Sequence, residues 1–339
     1  MTTGPERPHR ATLFVEAAEI LAKERFPGDQ VVLRIHAPRI AAVASPGTFL
    51  HVRCDPALPL RRPISLMAAD PAAGQLSILF KVVGKGTGLL AARAVGEVLD
   101  VIGPIGTGFR PREDRPRALL LAGGMGIPPM VFLAHWLTGG LAGGLAGEGA
   151  GGLAGRLADG VANQPTRDPS PPQRKASFPP MGPSPSSARE TLLLMGSERP
   201  FPFTVRPSGI PVSVPDGVTA AMAPMEALGI PSRLASRQGY PGCFPGWVTE
   251  LAEFRLAAQP PAIHRETALY ACGPEPMLRA SAALARKYDL PCQVCLEEFM
   301  ACGVGACAGC AVAVTTPAGV AMKRVCVDGP VFDARMVFG

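Results

Sequence analysis

ALLLAGGMGIPPMVFLAHWL, residues 118–137, is where the grammar of the chain changes. A continuous apolar run ends in Gly123, Gly124 and Gly126, and an apolar segment opened by Pro128 and Pro129 follows. An unbroken apolar run suits a strand buried on both faces. Proline is tolerated in the first turn of a helix, where backbone N–H groups lack partners anyway. Strand, glycine turn and helix in that order predict one unit of a parallel α/β sheet. Glycines at such a turn let a backbone approach phosphate oxygens, which the helix N-terminus attracts. The spacing is not G-x-G-x-x-G, so Gly123, Gly124 and Gly126 form a nucleotide-type turn without that fingerprint.

The same grammar recurs downstream. TLLLMGS (191–197) predicts a strand, and ALYACGPEPMLRASAALARKYD (268–289) predicts a strand running into a helix. Cys272, Gly273 and Pro274 then fall at the carboxyl end of a parallel strand, where open α/β sheets bind ligands. Cys272 can face a nicotinamide ring there, or it can simply close a buried strand.

Upstream, residues 12 to 110 read differently. VVLRIHAP, GTFLHVRC, QLSILFKVVG and GEVLDVIGPIG are short apolar or β-branched runs bounded by Gly, Pro and Asp. Strands at this density predict an antiparallel barrel. Two segments of it carry chemistry. Arg62-Pro63-Ile64-Ser65 sits at a strand edge, and a planar guanidinium fork suits phosphate oxygens. VVGKGTGLLAARA (82–94) leads three glycines into a helix-like run, a second phosphate-type turn; its Lys lies inside the glycines, unlike a P-loop. Either segment alone is equally an ordinary turn.

The third region begins at Pro291. Cys302, Cys307 and Cys310 are spaced C-x4-C-x2-C, and Cys326 follows after fifteen further residues. That is the plant-type [2Fe–2S] pattern, in which two irons need four thiolates. Zinc knots favour paired C-x2-C spacings instead. The interleaved Gly303, Gly305 and Gly309 let the backbone curl around a cluster with its N–H groups inward. Cys292 and Cys295 form a further C-x2-C that is either spare ligands or, as alternation with Val294 and Leu296 favours, packing on an entering strand. Cys54 and Cys243 stand alone.

Composition bounds the rest. Nine cysteines in 339 residues, clustered rather than spread, suit metal in a reducing compartment better than disulfides. The net charge of +6 is scattered and aromatics are 6%, so neither a basic block nor a stacking platform for nucleic acid is present. No long uninterrupted apolar run predicts a membrane helix, and the first twenty residues do not resemble a signal peptide, which points to the cytoplasm. Residues 139–189, a Gly/Ala/Leu quasi-repeat followed by a Pro/Ser-rich stretch, read as a disordered insertion. The expected organisation is multi-domain: an antiparallel β-barrel over 10–113, an α/β parallel-sheet domain over 114–290, and a small cluster module over 291–339.

In order, RPIS (62–65), VVGKGTGLL (82–90), LLAGGMGIPPM (120–130), YACGPEPML (270–278), and LEEFMACGVGACAGC with RVCVDGPVF at the end resemble the ferredoxin–NADP reductase superfamily. Within it they look like the electron-transfer subunits of NAD-dependent, class B dihydroorotate dehydrogenases. The resemblance implies that Arg62, Pro63, Ile64, Ser65, Leu79, Phe80, Lys81, Gly86 and Thr87 hold FAD. It implies that Gly123, Gly124, Gly126, Cys272, Gly273 and Pro274 meet NAD, and that Cys302, Cys307, Cys310 and Cys326 ligate the cluster. Ile64 departs from the Tyr common in related reductases, and the insertion is foreign to the pattern. The implied activity is that of an oxidoreductase in de novo pyrimidine (UMP) biosynthesis. Electrons would come from an FMN-bearing catalytic subunit, in a heterotetramer, through [2Fe–2S] and FAD to NAD. No residue here suggests a general base for dihydroorotate. A related NAD(P)H-dependent ferredoxin or sulfur-compound reductase subunit shares the same cofactors, and a non-catalytic redox sensor is the reading of another class.

Overall fold

The computed structural model describes residues 12–139 and 189–339. The insertion expected at 139–189 therefore falls almost wholly outside the described residues. The first part is a closed barrel of six antiparallel strands: β1 (Phe14–Phe26), β2 (Gln30–His36), β3 (Phe49–Arg53), β4 (Arg62–Asp70), β5 (Gln75–Lys81) and β6 (Val98–Ile105). The ring order is β1-β2-β5-β4-β3-β6. A short helix, α1 (Pro38–Ala41), follows β2, and α2 (Lys85–Ala92) links β5 to β6.

The four runs singled out in the sequence supply β2, β3, β5 and β6. β1 escaped that reading for a physical reason. FVEAAEILAKERF is rich in Ala and Glu, which favour helices. Pairing along both edges, with β2 and with β6, decides the outcome, and Ala18 and Ile20 enter the barrel core at the two-residue period of a strand.

The second part is a six-stranded sheet. Its members are β7 (Arg117–Gly123), β8 (Glu190–Gly196), β11 (Ser232–Ala235), β12 (Thr267–Cys272), β13 (Cys292–Cys295) and β16 (Val331–Asp333). The order is β11-β8-β7-β12-β13-β16. All neighbours are parallel except β13 and β16. Between these lie a small ribbon, β9 (Val205–Pro207) with β10 (Ala220–Met222), and a hairpin, β14 (Ala311–Thr316) with β15 (Gly319–Arg324). The helices are α3 (Ile127–Leu137), α4 (Ala223–Ala227), α5 (Val248–Ala257), α6 (Pro261–Glu266), α7 (Glu275–Lys287) and α8 (Ala334–Phe338).

The sheet is buried on both faces, which explains its continuous apolar strands. Leu120 and Ala122 join α3 on one side, while Leu119 and Leu121 join α5 and α7 on the other. Each such leucine contributes about 1.5–3 kcal/mol on burial. Two features tie the parts together. Phe132 of α3 is fully buried within the barrel core, so one helix serves sheet and barrel alike. Thr107, just after β6, donates its N–H to Gly329 O at 2.5 Å and accepts from Val331 N. The stretch after residue 291 thus provides two sheet strands as well as the hairpin. Among the described residues, no helix is long and apolar enough to cross a membrane.

Candidate functional site

The loop from β13 to β14 brings four thiols together in two pairs. The Cys302 thiol lies within side-chain interaction distance of the Cys307 thiol, and the Cys310 thiol of the Cys326 thiol, with no disulfide between them. A cluster of two irons, each taking two thiolates, needs that arrangement. Among the described residues, no three His, Cys, Asp or Glu side chains are grouped as a single metal ion would require. Backbone donors surround the sulfurs. Val304 and Cys307 N–H point at Cys302 Sγ at 3.5 and 3.4 Å. Gly309 N–H points at Cys307 Sγ at 3.4 Å, and Cys326 N–H at Cys310 Sγ at 3.5 Å. Gly303 and Gly305 adopt the left-handed backbone, φ +67° and +80°, that curls the loop. The donor set and its N–H groups fit a [2Fe–2S] cluster.

The two pairs differ in environment. Cys310 and Cys326 are buried, whereas Cys302 is half-buried and Cys307 exposed. Burial pushes the Cys326 thiol up to about 12, with the Cys310 thiol adding to it. At Cys302 burial also opposes ionisation, but the N–H groups of Cys307 and Val304 outweigh it and bring the thiol down to about 7. Arg324 braces the loop by donating Nη1–H to Gly305 O at 2.9 Å. Cys292 and Cys295 lie on β13 and point to opposite faces of the sheet, into its two cores.

Arg62 opens β4 and lies over the start of α2. A Cβ on Gly86 would stand 3.0 Å from Arg62 Nε and 3.3 Å from Nη2. Arg62 Nη1 is already used, donating to Leu60 O and Arg61 O at 3.0 and 3.1 Å. Nε and Nη2 therefore face the glycine turn as a fork, which fits a pyrophosphate. Thr87 spends its hydroxyl on the turn itself: it accepts from Val83 N at 2.9 Å and donates to Gly84 O at 3.2 Å. Ile64 enters the barrel core beside Phe80, and Leu79 is also buried. Of that group, Pro63, Ser65 and Lys81 keep partly exposed side chains.

The two glycine turns interlock. Ala122 pairs with Cys272 in parallel register, which sets the turns after β7 and β12 side by side. A Cβ on Gly126 would meet Gly273 N at 2.5 Å, and one on Gly123 would meet Pro274 Cδ at 3.1 Å. The Cys272 thiol does not face the turn. It is buried against Cys295, its register partner on β13, and that bond together with burial raises its pKa well above the usual thiol value. A cavity of about 420 Å³ between barrel and α3, lined by Arg34, Met67, Ser77, His135 and Phe203 among others, includes none of these site residues.

One residue of this region was not singled out in the sequence. His51 of β3 is 1% exposed, and a Cβ on Gly303 would stand 2.8 Å from its Nδ1. Burial lowers its pKa, Arg61 and Arg62 add to that, and the Cys302 backbone opposes it. Its register partner on β4 is Pro63, so the cluster loop and the Arg62 strand meet across one imidazole.

Comparison with known proteins decides the family. A model described as the iron–sulfur cluster binding domain of dihydroorotate dehydrogenase B matches residues 297–338. The dihydroorotate dehydrogenase B (NAD(+)) electron transfer subunit of Bacillus caldolyticus is 33% identical over 336 residues, 97% of this chain and 98% of that protein. The chain belongs to this family of electron transfer subunits. The family member from Desulforamulus reducens is 30% identical over 325 residues, covering 94% of this chain and 97% of its own length. In fold, the family's barrel-and-sheet architecture also appears in a structure of the NADH-dependent reduced ferredoxin–NADP oxidoreductase. It has a TM-score of 0.64 and 22% identity, and the match covers 95% of this chain and 90% of that one. A ferredoxin reductase of carbazole 1,9a-dioxygenase aligns with a TM-score of 0.52 and 17% identity over 82% of this chain and 67% of its own. The expected β-barrel, α/β domain and C-terminal iron–sulfur segment are thus all present, with β16 making the sheet mixed rather than purely parallel.

Proposed function

We propose that this chain relays electrons from the FMN of a separate dihydroorotate dehydrogenase catalytic subunit, by way of [2Fe–2S] and FAD, to NAD. The observation that carries this reading is the contact of Gly303 with His51, which makes the cluster loop and the flavin strand neighbours. When bound, the cluster would exchange single electrons and the flavin would convert between single electrons and the two electrons of one hydride, so a flavin belongs between cluster and nicotinamide.

The chain's own residues then divide the work. Cys302 with Cys307 and Cys310 with Cys326 are the ligand pairs, and the N–H groups on their sulfurs stabilise added negative charge. The free fork of Arg62 and the Gly86 turn would hold the flavin pyrophosphate, and Ser65 and Lys81, both partly exposed, would supply polar contacts to the flavin. Gly123, Gly124 and Gly126 with Gly273 and Pro274 seat NAD at the carboxyl ends of β7 and β12. Cys272 lines that site from beneath, through its backbone, because its thiol is turned to Cys295. The exposed Phe299 and Val304 flank Cys302 in the sequence and give the catalytic subunit an apolar place to dock beside the half-exposed ligand pair. Assembly as a heterotetramer and a cytoplasmic setting complete the proposal; cysteines clustered for iron rather than spread in disulfide pairs suit a reducing compartment.

The experiment is to co-express the chain with an FMN-bearing dihydroorotate dehydrogenase subunit, purify the complex and follow dihydroorotate-dependent NADH formation. Activity together with FAD, iron and sulfide in the chain is the expected result. Full activity with another electron donor and none with dihydroorotate refutes the assignment of partner and substrate.

A further inference from the structure

His51 is a buried polar side chain: neither ring nitrogen meets a partner at full hydrogen-bond geometry, and the polar backbone group near enough to favour its proton is that of Cys302. Its chain neighbours Leu50 and Val52 enter the barrel core, and strand alternation turns His51 the other way, onto the ligand loop. There it meets the loop at Gly303, the residue next to Cys302. Gly303 is required twice: its φ of +67° is left-handed, and any Cβ would strike the ring at 2.8 Å from Nδ1 and 3.2 Å from Cε1. The strand that carries His51 is held firmly. Arg61 Nη1 donates to Asp100 O at 2.7 Å beside the His51 carbonyl, and Arg61 pairs with the Asp100 carboxylate at 2.5 Å. On the other side, Val304 and Cys307, whose N–H groups point at Cys302 Sγ, follow directly from Gly303.

We propose that His51 is a positioning residue for the iron–sulfur centre. Its ring seats the Cys302–Gly303 corner of the loop against the flavin strand and aims a ring N–H at that corner. It thereby fixes the N–H bonds to Cys302 Sγ and, through them, the reduction potential of the centre and its electron exchange with the flavin. The inference rests on the proposed function. It differs from ordinary core packing, because a side chain that only filled space would be replaceable by leucine without electronic consequence.

The test uses the complete chain loaded with flavin and cluster, in wild-type, His51→Leu, His51→Asn and Gly303→Ala forms. EPR-monitored redox titration reads the cluster midpoint, and stopped-flow mixing with NADH reads flavin reduction and then cluster reduction. In His51→Leu the midpoint shifts and the flavin-to-cluster step slows by about 10- to 100-fold, the range seen when residues supporting metal ligands are lost. NADH reduction of the flavin, which does not involve the loop, reports an intact fold. His51→Asn, which restores a polar atom near the position of Nδ1, returns both readouts towards wild type. If His51 variants lose their flavin, Gly303→Ala decides from the loop side with the barrel untouched, and it too must shift the midpoint. In the His51→Leu/Gly303→Ala double variant the shift must be smaller than the sum of the singles, because the two residues touch. A flavin-loaded His51→Leu with the wild-type midpoint and rate, a silent Gly303→Ala, or a strictly additive double overturns the inference. A wild-type chain without a reduced-cluster EPR signal overturns the proposed function instead, and this inference with it.

Discussion

Adding one methyl group at Gly126 tests whether the two turns act as one nucleotide seat. Gly126 has φ −77°, so alanine suits its backbone and the whole effect is steric. The new Cβ would stand 2.5 Å from Gly273 N, and closer still to the Cys272 carbonyl. Carbon needs roughly 3.5 Å from such atoms, so the ends of β7 and β12 must part by about 1 Å. These are backbone atoms of neighbouring strands in one sheet and cannot swing aside. Overpacking of this kind costs about 1–3 kcal/mol of stability. A displacement of about 1 Å at a reacting geometry costs about 100-fold in rate. Gly126→Ala therefore retains FAD and cluster but reduces its flavin with NADH about 100-fold more slowly, and its urea midpoint falls. Gly229→Ala, in the same domain but outside the two turns, is the control. Its φ of +73° costs alanine about 1–2 kcal/mol, but nothing lies within 4 Å of the added Cβ, so it strains the backbone without touching the turns. Wild-type kinetics in Gly126→Ala, or an equal rate loss in Gly229→Ala, would refute the argument.

Other outcomes follow from the same geometry. Arg62→Ala removes the fork over Gly86 and weakens FAD retention by about 10- to 100-fold, the worth of about 1.5–3 kcal/mol for hydrogen bonds to a charged group; equilibrium dialysis measures it. Cys326→Ser loses the cluster by iron and sulfide analysis and by EPR, whereas Cys292→Ala keeps both, since Cys292 packs in the sheet core. Phe132→Ala costs about 3–5 kcal/mol and lowers the thermal transitions of barrel and sheet together, because this ring joins the two. Burial raises the Cys243 thiol to about 11 from 9.0, with Cys272 and Cys292 also raised. The folded state holds these protons more tightly, so their stabilisation is complete below pH 9 and is lost as pH rises from 9 through about 11. Urea midpoints at the two ends of that window check the sign.

What could be seen in the sequence was what depends on neighbours along the chain. Cysteine spacing and interleaved glycines are local, and so are the strand–glycine–helix turns at Gly123 and Cys272. What could not be seen depends on distant contacts. A lone histidine in a strand carries no signal until Gly303 packs on it from 252 positions away in the numbering, 303 less 51. The thiol of Cys272 has a plausible ligand-facing position by order along the chain, yet register with Cys295 turns it into the sheet. Phe80 and Leu79 belong to a motif stretch, but Phe80 is buried inside the barrel, and its neighbour Leu79, which alternation turns to the other face, is buried as well. β1 shows the opposite failure, local helix preference overruled by two paired edges.

Strands β13 and β16 are antiparallel neighbours, and the four cysteines proposed as cluster ligands all lie on the chain between them. The cluster segment is therefore the overgrown turn of a β-hairpin whose two legs belong to the nucleotide-binding sheet. Its ends are held together before any iron arrives, so the entropy of gathering the four thiols is met largely by the sheet. Shortening it to a tight turn could keep both legs paired, but it would strip Cys310, Val314, Val325 and Cys326 from the core they share with Phe49 of the barrel and with α5 and α7. The segment is thus built into the scaffold: the part that exchanges single electrons and the part that handles hydride share one core.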